Sequence, residues 1–325
     1  MFKIENIVIK NKVVLAPMAG ITSSGYRKFM SQFKPGYMVT EMVSDMGLIY
    51  GNKETIDYVK FEKTDIPLGV QLFGNCPENM AKAALICEKI NPNIDFYDVN
   101  MGCPVAKVTS NRSGSVLMKN PKLCGDIVRA IKEATHKPVT VKIRLGYTPS
   151  TMNFMEVIEE VTKAGASLIA IHPRTAKDMY RGIPNWEAVR DLKKKVDVPL
   201  IVSGNLYTVE DVINALEITG ADGVMIARGG VGNPRLLENL NKYFVGEEYE
   251  KPTLDEQIQY CLELARDLIE EKGEKVAMRV YRGISVKFFE GFPHSKTLKC
   301  RLSTELNSYQ DLIRLLEEYK QEFSI

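Results

Sequence analysis

Histidines are few and paired cysteines are absent, and these absences exclude several classes of protein. Only three histidines occur in 325 residues, and the six cysteines form no C-x-x-C pair. We therefore expect no zinc site, no other catalytic metal and no disulfide framework. The cysteines are scattered singly along the chain, at Cys76, Cys87, Cys103, Cys124, Cys261 and Cys300.

Long apolar runs are missing as well. No stretch approaches the length of a membrane span, and the first residues, Met1 to Glu5, lack the basic, apolar and small-residue succession of a signal peptide. With 45% hydrophobic and 26% charged residues, the composition is that of an ordinary globular protein. We expect a cytoplasmic protein without a membrane partner.

One unit recurs along the first three quarters of the chain: a short apolar run, a turn, and a longer segment of helical period. The runs are nearly continuous in apolar character, which is typical of parallel strands covered on both faces. Eight such units within about 240 residues predict a closed (β/α)₈ TIM barrel. The eight runs are 13–18, 37–42, 68–73, 95–100, 139–144, 168–173, 200–205 and 223–228.

The rival architecture is an open, doubly wound sheet, whose first turn should contain a G-x-G-x-x-G phosphate-binding pattern. The first turn here is Ala16-Pro17-Met18-Ala19-Gly20-Ile21-Thr22, which lacks that pattern. The barrel is therefore favoured.

The pattern changes after the eighth run. From Gly246 to Pro252 the chain is polar, and beyond it apolar stripes of helical period predict a first helix from about Leu254 and a last one around Leu312. We therefore predict two domains, a barrel at 1–246 and a small all-helical domain at 247–325.

The helical domain contains a concentration of positive charge. Seven basic residues and one acidic residue lie between Lys275 and Arg301, so this segment has a net charge of +6 in a chain of +2. Interleaved aromatic residues, among them Tyr281 and Phe288, would suit a polyanion with stackable bases. A solvated helix face is the equally weighted alternative for the same pattern.

The stretch Asp98-Val99-Asn100-Met101-Gly102-Cys103-Pro104 carries the strongest chemical signal. It follows a buried-strand pattern and ends in a Gly-Cys-Pro corner that no helix can continue through. The pattern puts Cys103 on a loop at the carboxyl end of a strand, where barrel enzymes carry their chemistry. A small buried hydrophobe is the ordinary alternative for a free cysteine.

Other polar residues follow the remaining strands and should meet at the same mouth. Glycine-rich turns after strands seven and eight suit a ligand phosphate, with Arg228 to pair it. Lys142 lies inside a Val-Lys-Ile-Arg strand, where burial of an unpaired ammonium is unfavourable. The negative edge of a reduced flavin could compensate for that cost, and a Schiff base with a carbonyl substrate is the alternative. The Schiff base is less favoured because it leaves Cys103, Gln71 and Asn205 without a role.

In combination, these motifs resemble the tRNA-dihydrouridine synthase family, and most of all its bacterial B-type branch. They occur in order along the whole predicted barrel. The motifs are Ala16–Thr22, Gln71-Leu72-Phe73-Gly74, Asn100-Met101-Gly102-Cys103-Pro104 with Val108 and Gly114–Met118, Val141–Gly146, Ile171-His172-Pro173-Arg174-Thr175, and Ala227-Arg228-Gly229.

The resemblance implies a flavoenzyme that reduces the C5=C6 bond of particular uridines in tRNA, with bound FMN and with NADPH as a transient reductant. It implies tRNA as the partner, and a monomer is the simplest oligomeric state. By resemblance, the residues around the flavin are Pro17, Met18, Ala19, Gln71, Lys142, His172, Ser203, Gly204, Asn205, Ala227, Arg228 and Gly229. The residues expected at the uracil or the RNA are Asn100, Arg144, Arg174, Tyr180, Arg279, Arg282 and Lys287.

The chemistry of the reaction gives Cys103 a specific role. The C5=C6 bond of uracil is conjugated to the C4 carbonyl, so hydride from flavin N5 should add at C6 and a proton must then reach C5. A thiol can donate that proton if it stays protonated, which requires an apolar setting rather than a cationic one. We therefore expect Cys103 to be the catalytic acid.

The chain departs from the family pattern at three positions and leaves two other functions open. Ser203, Pro173 and Ser115 stand where the family more often has asparagine, a small residue and alanine. A flavin barrel acting on a free pyrimidine, like the dihydroorotate and dihydropyrimidine dehydrogenases, would have no use for the basic helical segment. A catalytically silent RNA-binding protein would have no use for the reactive mouth.

Overall fold

The computed structural model describes residues 1–323, which form two compact units. The first unit comprises Met1–Ala19 and Pro35–Ala227, and the second comprises Gly20–Lys34 and the chain from Arg228 onward. The boundary expected between residues 246 and 247 therefore differs from this division. The difference arises because Gly20–Lys34 and the segment after the eighth barrel strand pack with the C-terminal helices, an association that no local sequence pattern reveals.

The strands all lie in the first unit. They are β1 (Phe2–Ile4), β2 (Ile7–Ile9), β3 (Val13–Leu15), β4 (Met38–Val39), β5 (Val43–Ser44), β6 (Leu68–Phe73), β7 (Phe96–Asn100), β8 (Val139–Arg144), β9 (Ala166–His172), β10 (Leu200–Val202) and β11 (Gly223–Ile226).

Seven of the α-helices belong to the first unit and six to the second. They are α1 (Ser24–Ser31), α2 (Asp45–Ile49), α3 (Lys53–Asp57), α4 (Pro77–Ile90), α5 (Ala106–Thr109), α6 (Pro121–Thr135), α7 (Phe154–Lys163), α8 (Val209–Thr219), α9 (Arg235–Val245), α10 (Leu254–Lys272), α11 (Glu274–Ser285), α12 (Ser295–Thr304) and α13 (Tyr309–Phe323). Single 3₁₀ turns lie at Gly114–Lys119, Pro149–Thr151, Glu187–Val189, Leu192–Lys195, Arg228–Gly230 and Val286–Phe289.

All eight predicted barrel strands are present, and the prediction of a TIM barrel is confirmed. Their parallel sheet has the order β3-β11-β10-β9-β8-β7-β6-β4, with β5 extending the path of β4 along β6. Backbone hydrogen bonds bring its two ends together, from Leu15 N–H to the Tyr37 carbonyl (3.1 Å) and from Gly36 N–H to the Val13 carbonyl (2.7 Å). The carboxyl ends of these strands therefore surround one mouth.

The barrel strands are rich in Val, Ile and Leu because both of their faces are covered. Every residue of β7, β9 and β11 is buried. The antiparallel hairpin β1–β2 adds Phe2, Ile4 and Ile9 to the interior cluster that also contains Val14, Tyr37, Phe96, Leu168, Ile201 and Met225. This packed interior holds the strands rigidly, so the side chains at their carboxyl ends have fixed starting positions.

One crossover does not contain the expected helix. Between β9 and β10 the chain forms only the 3₁₀ turns Glu187–Val189 and Leu192–Lys195. Pro184 and the left-handed Gly182 (φ 67°) interrupt this segment, which prevents a continuous helix. The freed loop supplies carbonyl groups to two arginines of the mouth, as described below.

The second unit is helical, as predicted, and α1 joins it through a close backbone approach. A Cβ on Gly25 would lie 2.6 Å from the Asp267 carbonyl oxygen of α10, so only glycine fits there. The Glu271 carboxylate of the same helix accepts hydrogen bonds from Ser23 Oγ (2.6 Å) and Gly25 N–H (2.9 Å). These bonds satisfy donors at the start of α1 that have no partner within the helix.

The predicted apolar stripes form the core of this unit. On α10, Cys261, Leu264, Ala265 and Leu268 are buried, and on α13 Leu312, Leu315, Leu316 and Tyr319 are buried. A capping box of Thr253 and Glu256 begins α10. Within residues 1–323, no helix combines the length and the apolar character needed to cross a lipid bilayer.

Candidate active site

The carboxyl ends of four neighbouring strands bring together most of the predicted site residues of the barrel. Gln71 lies in β6, Asn100 ends β7, Lys142 and Arg144 lie in β8, and His172 ends β9. The strand register sets Gln71 beside Asp98, Asn100 beside Lys142, and Arg144 beside His172. Tertiary structure thus assembles residues that are about 100 positions apart in sequence.

The Cys103 loop is held at both of its ends. The Asn100 side-chain oxygen accepts hydrogen bonds from the backbone N–H groups of Cys103 (2.9 Å) and Gly102 (3.2 Å). On the other side, Ser115 N–H donates to the Cys103 carbonyl (3.0 Å). Gly114 has φ 62°, and a Cβ there would lie 2.7 Å from that carbonyl oxygen, so this motif position requires glycine.

The environment of Cys103 keeps its thiol protonated at neutral pH. The side chain is half-buried, and desolvation raises the pKa of the thiol above its ordinary value. The nearby Arg144 and Lys142 charges and a backbone hydrogen bond act in the opposite direction but do not cancel the effect of burial. The setting is therefore less purely apolar than the sequence suggested, while the resulting protonation state is the expected one.

A buried carboxylate, Asp98, lies beneath the site and was not among the predicted site residues. It accepts hydrogen bonds from Gln71 Nε2 and from Thr140 Oγ1, each at 2.6 Å. Burial raises the pKa of Asp98 to about 6, while the bonds to Gln71 and Thr140 and the charge of Lys142 counteract this effect. One sequence signal could have identified it: an acidic residue within the otherwise apolar run that ends at Val99.

Lys142 presents a cation that has no hydrogen-bond acceptor among the described residues 1–323. Within residues 1–323, no acceptor lies at hydrogen-bond distance from its Nζ, although the Asp98 charge acts on it. Burial and the Arg144 charge lower the pKa of Lys142 to about 8. The side chain keeps partial access to solvent at the mouth, so an anionic ligand group could supply the missing partner.

The guanidinium of Arg144 donates hydrogen bonds to backbone carbonyls of the barrel unit. Its Nε donates to the Gly102 carbonyl of the Cys103 loop (2.8 Å), and its Nη1 donates to the carbonyls of Thr175 (2.9 Å) and Met179 (2.7 Å). The ring of Tyr180 lies against it, 5.3 Å from the guanidinium carbon to the ring centre. These contacts link two loops of the mouth through Arg144, and its predicted contact with RNA stays a prediction.

Arg174 joins the loop after β9 to the turn after β10. The buried guanidinium lies 3.0 Å from His172 Nε2 and donates to the Asn205 side-chain oxygen (3.0 Å) and the Arg181 carbonyl (3.1 Å). Gly204 approaches the same histidine so closely that a Cβ there would lie 2.9 Å from His172 Cδ2. His172, Arg174, Gly204 and Asn205, predicted from separate motifs, therefore form one cluster.

The remaining predicted cofactor residues line the strand ends with varied exposure. Pro17 and Met18 are partly buried after β3, Ala19 is exposed, Ser203 is buried after β10, and Ala227 is partly buried after β11. The next two residues, Arg228 and Gly229, begin the second unit, where Arg228 is exposed in a 3₁₀ turn.

The predicted RNA-contacting cations of the helical unit differ in their availability. Arg279 is exposed, whereas Arg282 donates to the Leu306 carbonyl (2.8 Å) and the Asn307 side chain (2.6 Å). Lys287 pairs with Glu290 at the surface (2.7 Å). Tyr180 belongs to the barrel unit, where its ring is about half exposed.

The whole barrel and the helical segment match one family model. Residues 14–324 match the model described as dihydrouridine synthase. The chain belongs to the dihydrouridine synthase family. It is therefore an enzyme of that family, and the resemblance seen in the motifs is confirmed.

Similar proteins of several bacteria agree with this assignment. The chain is 33% identical over 297 residues to a probable tRNA-dihydrouridine synthase of Rickettsia conorii, covering 91% of this chain and 89% of that protein. It is 31% identical over 318 residues to the probable tRNA-dihydrouridine synthase 1 of Synechocystis, covering 97% and 88%. It is 31% identical over 303 residues to the tRNA-dihydrouridine synthase B of Pseudomonas putida, covering 93% and 89%.

Solved structures share the barrel fold at low sequence identity. A 2-naphthoyl-CoA reductase complex superposes with a TM-score of 0.55 at 12% identity, covering 76% of this chain and 52% of that one. A 6-hydroxypseudooxynicotine amine oxidase of Pseudomonas geniculata superposes with a TM-score of 0.54 at 13% identity, covering 73% and 47%. At such identities the similarity establishes the fold alone.

Proposed function

We propose that this enzyme reduces the C5=C6 bond of specific uridines in tRNA to 5,6-dihydrouridine, with FMN as bound cofactor and NADPH as reductant. The observation that carries the proposal is the arrangement around Cys103: a protonated thiol lies on a loop fixed by Asn100, next to the unpartnered cation of Lys142. Family membership supplies the reaction class, and a cytoplasmic site of action follows from the substrate.

The donor set at the mouth fits a flavin. Lys142 offers an ammonium that no acceptor of the described chain meets, and a cation at that position favours a flavin edge that becomes negative on reduction. By resemblance, Gln71, His172, Ser203, Gly204 and Asn205 belong to the same cofactor site, and they lie in, end or follow the strands β6, β9 and β10. Pro17, Met18, Ala19, Ala227, Arg228 and Gly229 complete the proposed cofactor site by resemblance.

The residues of the chain then have distinct tasks. A reduced flavin held by these residues would supply the hydride that C6 of the uracil receives, with NADPH as the source of its electrons. Cys103 holds its proton against the neighbouring cations and donates it to C5, because burial keeps the thiol neutral. Asn100 fixes the backbone of that loop, and by resemblance Arg174 and Tyr180 are assigned to the nucleotide.

The helical unit supplies the electrostatic part of RNA binding in this proposal. A uridine must leave the base stack to reach a site at the barrel mouth, so the folded tRNA needs further contacts that position it. Exposed cations such as Arg279 can contact phosphate groups without reading the sequence. We assign the barrel, 1–246, to FMN binding and catalysis, and the helical segment, 247–325, to RNA binding.

The deciding experiment is nucleoside mass spectrometry of unmodified tRNA incubated with the protein and NADPH. We expect uridine to gain two hydrogens with the wild-type protein. The substitution Cys103→Ala should lower turnover about 10²- to 10⁴-fold, the usual contribution of a general acid, while flavin content stays the same. Cys87→Ala, a buried cysteine in the last turn of α4 and so far from the helix end that follows the mouth, is the control and should keep full activity.

Other outcomes would redirect the proposal. Full activity of Cys103→Ala would contradict the acid role. Unmodified tRNA together with NADPH-dependent bleaching of a bound flavin would contradict the substrate, and the same assay with ribosomal RNA and then with free pyrimidines would identify the replacement.

A further inference from the structure

Three buried polar side chains form a continuous hydrogen-bonded chain that ends at the catalytic loop. Asp98 accepts from Gln71 Nε2 at 2.6 Å, Gln71 Oε1 accepts from Asn100 Nδ2 at 2.8 Å, and Asn100 Oδ1 accepts from Cys103 N–H at 2.9 Å. A fourth residue, Thr140, fixes the other carboxylate oxygen of Asp98 at 2.6 Å. The three side chains lie on two adjacent strands, β6 and β7, and Thr140 belongs to the next strand, β8.

The chemistry of Asp98 is consistent with only one direction along this chain. An ionised carboxylate can only accept hydrogen bonds, so the amide nitrogen of Gln71 must face it. The amide oxygen of Gln71 then faces Asn100, and the amide nitrogen of Asn100 must donate to it. The oxygen of Asn100 is left to accept the N–H groups of Gly102 and Cys103. Each of these hydrogen bonds therefore has a defined donor and acceptor, from Asp98 in β7 to the backbone of the Cys103 loop.

Burying the Asp98 carboxylate lowers the stability of the fold, so its presence in the barrel interior indicates a compensating role. Its side chain is 2% exposed and lies on the same face of β7 as Phe96, which is fully buried in the interior cluster of the barrel. An unneutralised carboxylate in such a place costs several kcal/mol, and an apolar residue of similar size would avoid that cost. The hydrogen bonds from Gln71 and Thr140 and the Lys142 charge partly offset the burial of Asp98.

We propose that Asp98 is a positioning residue for Cys103, acting through Gln71 and Asn100 to hold the thiol at the angle and depth that proton donation requires. The proposal rests on the proposed function for its purpose, since positioning matters because Cys103 is the acid. The geometric claim concerns only this chain's own residues, so it can be tested without RNA.

The test measures the alkylation rate of the Cys103 thiol by iodoacetamide, quantified by peptide mass spectrometry, with the other five cysteines as internal references. Asp98→Val should release the loop and hydrate the thiol, so its pKa should fall and alkylation at fixed pH should accelerate about tenfold, as one pKa unit gives. Thr140→Val is the matched control. It removes one bond to Asp98 but leaves the Asp98–Gln71–Asn100 chain intact, so the rate should change little.

A double-mutant cycle separates positioning through the chain from a general loosening of the barrel. Asn100→Ala removes the last link and should accelerate alkylation by itself. If Asp98 acts through Asn100, the double variant Asp98→Val/Asn100→Ala should react no faster than Asn100→Ala alone. Additive effects, or an unchanged rate in Asp98→Val, would overturn the proposal.

If Asp98→Val does not fold, the variant Asp98→Asn provides the same test of the proposal. The isosteric amide preserves an acceptor toward Gln71 but forms a neutral hydrogen bond, about half as strong as the charge-assisted one, so we expect an acceleration of roughly two- to threefold. The same cycle with Asn100→Ala should again be non-additive, and additivity would again overturn the proposal. Thermal unfolding midpoints identify the variants that are folded.

Failure of this proposal and failure of the proposed function give different results. Additive alkylation rates with intact uridine reduction would overturn the positioning role alone. A non-additive cycle in a protein that does not reduce any uridine would support the positioning of Cys103 and contradict the substrate.

Discussion

The barrel mouth and the basic helical segment use positive charge in opposite ways. At the mouth, Arg144 and Arg174 are buried, and their guanidinium groups are engaged by carbonyl and side-chain acceptors of the protein. In the helical unit, Lys275 and Arg279 lie exposed on one face of α11, one turn apart, with no ion pair to another described residue. Arg144 and Arg174 therefore fix the positions of the loops at the mouth, while Lys275 and Arg279 provide positive charge at the surface.

This difference predicts which property each region controls. Buried charges with several hydrogen bonds are sensitive to small changes, because removing one partner leaves desolvated groups unpaired. Exposed charges tolerate substitution in the folded protein and act on a polyanion mainly through salt-dependent attraction. Changes at the mouth should therefore alter stability and catalysis, and changes on α11 should alter RNA affinity.

The largest effect on stability should come from Arg144. Arg144→Met removes donors from three backbone carbonyls, and at about 1 kcal/mol or more for each lost bond we expect about 3 kcal/mol of destabilisation. Arg279→Met, the exposed counterpart, should stay within about 0.5 kcal/mol of the wild type. Chemical denaturation of both variants measures the difference, and equal losses would contradict the comparison.

A smaller effect should appear in the pH dependence of stability through Asp98. Because burial raises the pKa of Asp98 to about 6 from 3.8, the folded state binds the proton more tightly than the unfolded state. The corresponding stability is fully present below about pH 4 and is lost as the pH rises to about 6. At 1.36 kcal/mol per pKa unit it amounts to at most about 3 kcal/mol. Denaturation of wild type and Asp98→Asn between pH 4 and 7 should show this slope only in the wild type.

The exposed charges should affect RNA binding by a smaller amount and only through salt. Lys275→Gln with Arg279→Gln should weaken tRNA binding about tenfold at low salt and flatten the plot of log K against log salt by about one to two units. Arg301→Gln is the control, because Glu305 and Glu318 already pair with Arg301 in the protein. Fluorescence anisotropy at several salt concentrations gives both slopes, and an unchanged slope in the double variant would contradict a phosphate contact.

The smallest predicted effect concerns Gly283, on the exposed side of α11. Apart from its chain neighbours and the nearby backbone of α11, no heavy atom of the described residues would lie within 4 Å of a Cβ at this position, so Gly283→Ala should stabilise the helical unit by about 1 kcal/mol through helix propensity. Gly25→Ala is the opposite control, because its Cβ would meet the Asp267 carbonyl at 2.6 Å. The midpoint temperature of thermal unfolding should therefore rise for Gly283→Ala and fall for Gly25→Ala.

Much of the fold could be predicted because its signals are local. Each barrel strand is a short, nearly continuous apolar run, and α10 and α13 have clear amphipathic stripes. The division into units could not be predicted in the same way. Helix α1 follows the first barrel strand in sequence but packs on α10, some 230 residues later, through the close approach at Gly25.

The candidate site could be predicted in part for the same reason. Cys103, Asn100 and Lys142 stand in motifs whose residue types are unusual for their surroundings, and the structure brings them to one mouth. Asp98 was missed as a site residue because a single acidic residue in a strand pattern does not reveal its partners. The contacts of Arg144 within the protein were not predicted, because its three carbonyl acceptors lie on loops that the sequence does not connect to it.

The sequence by itself determined the strands, the helices, the family and the residue types available for chemistry, since these depend on periodicity and on motifs within a few residues. Tertiary structure alone decided which of those residues touch. It turned Asp98, Gln71 and Asn100 into one hydrogen-bonded chain and directed Arg144 inward, while Arg279 remained exposed. The physical reason is that hydrogen-bond partners and burial depend on strand register and on loop closure over long sequence separations, which local patterns do not encode.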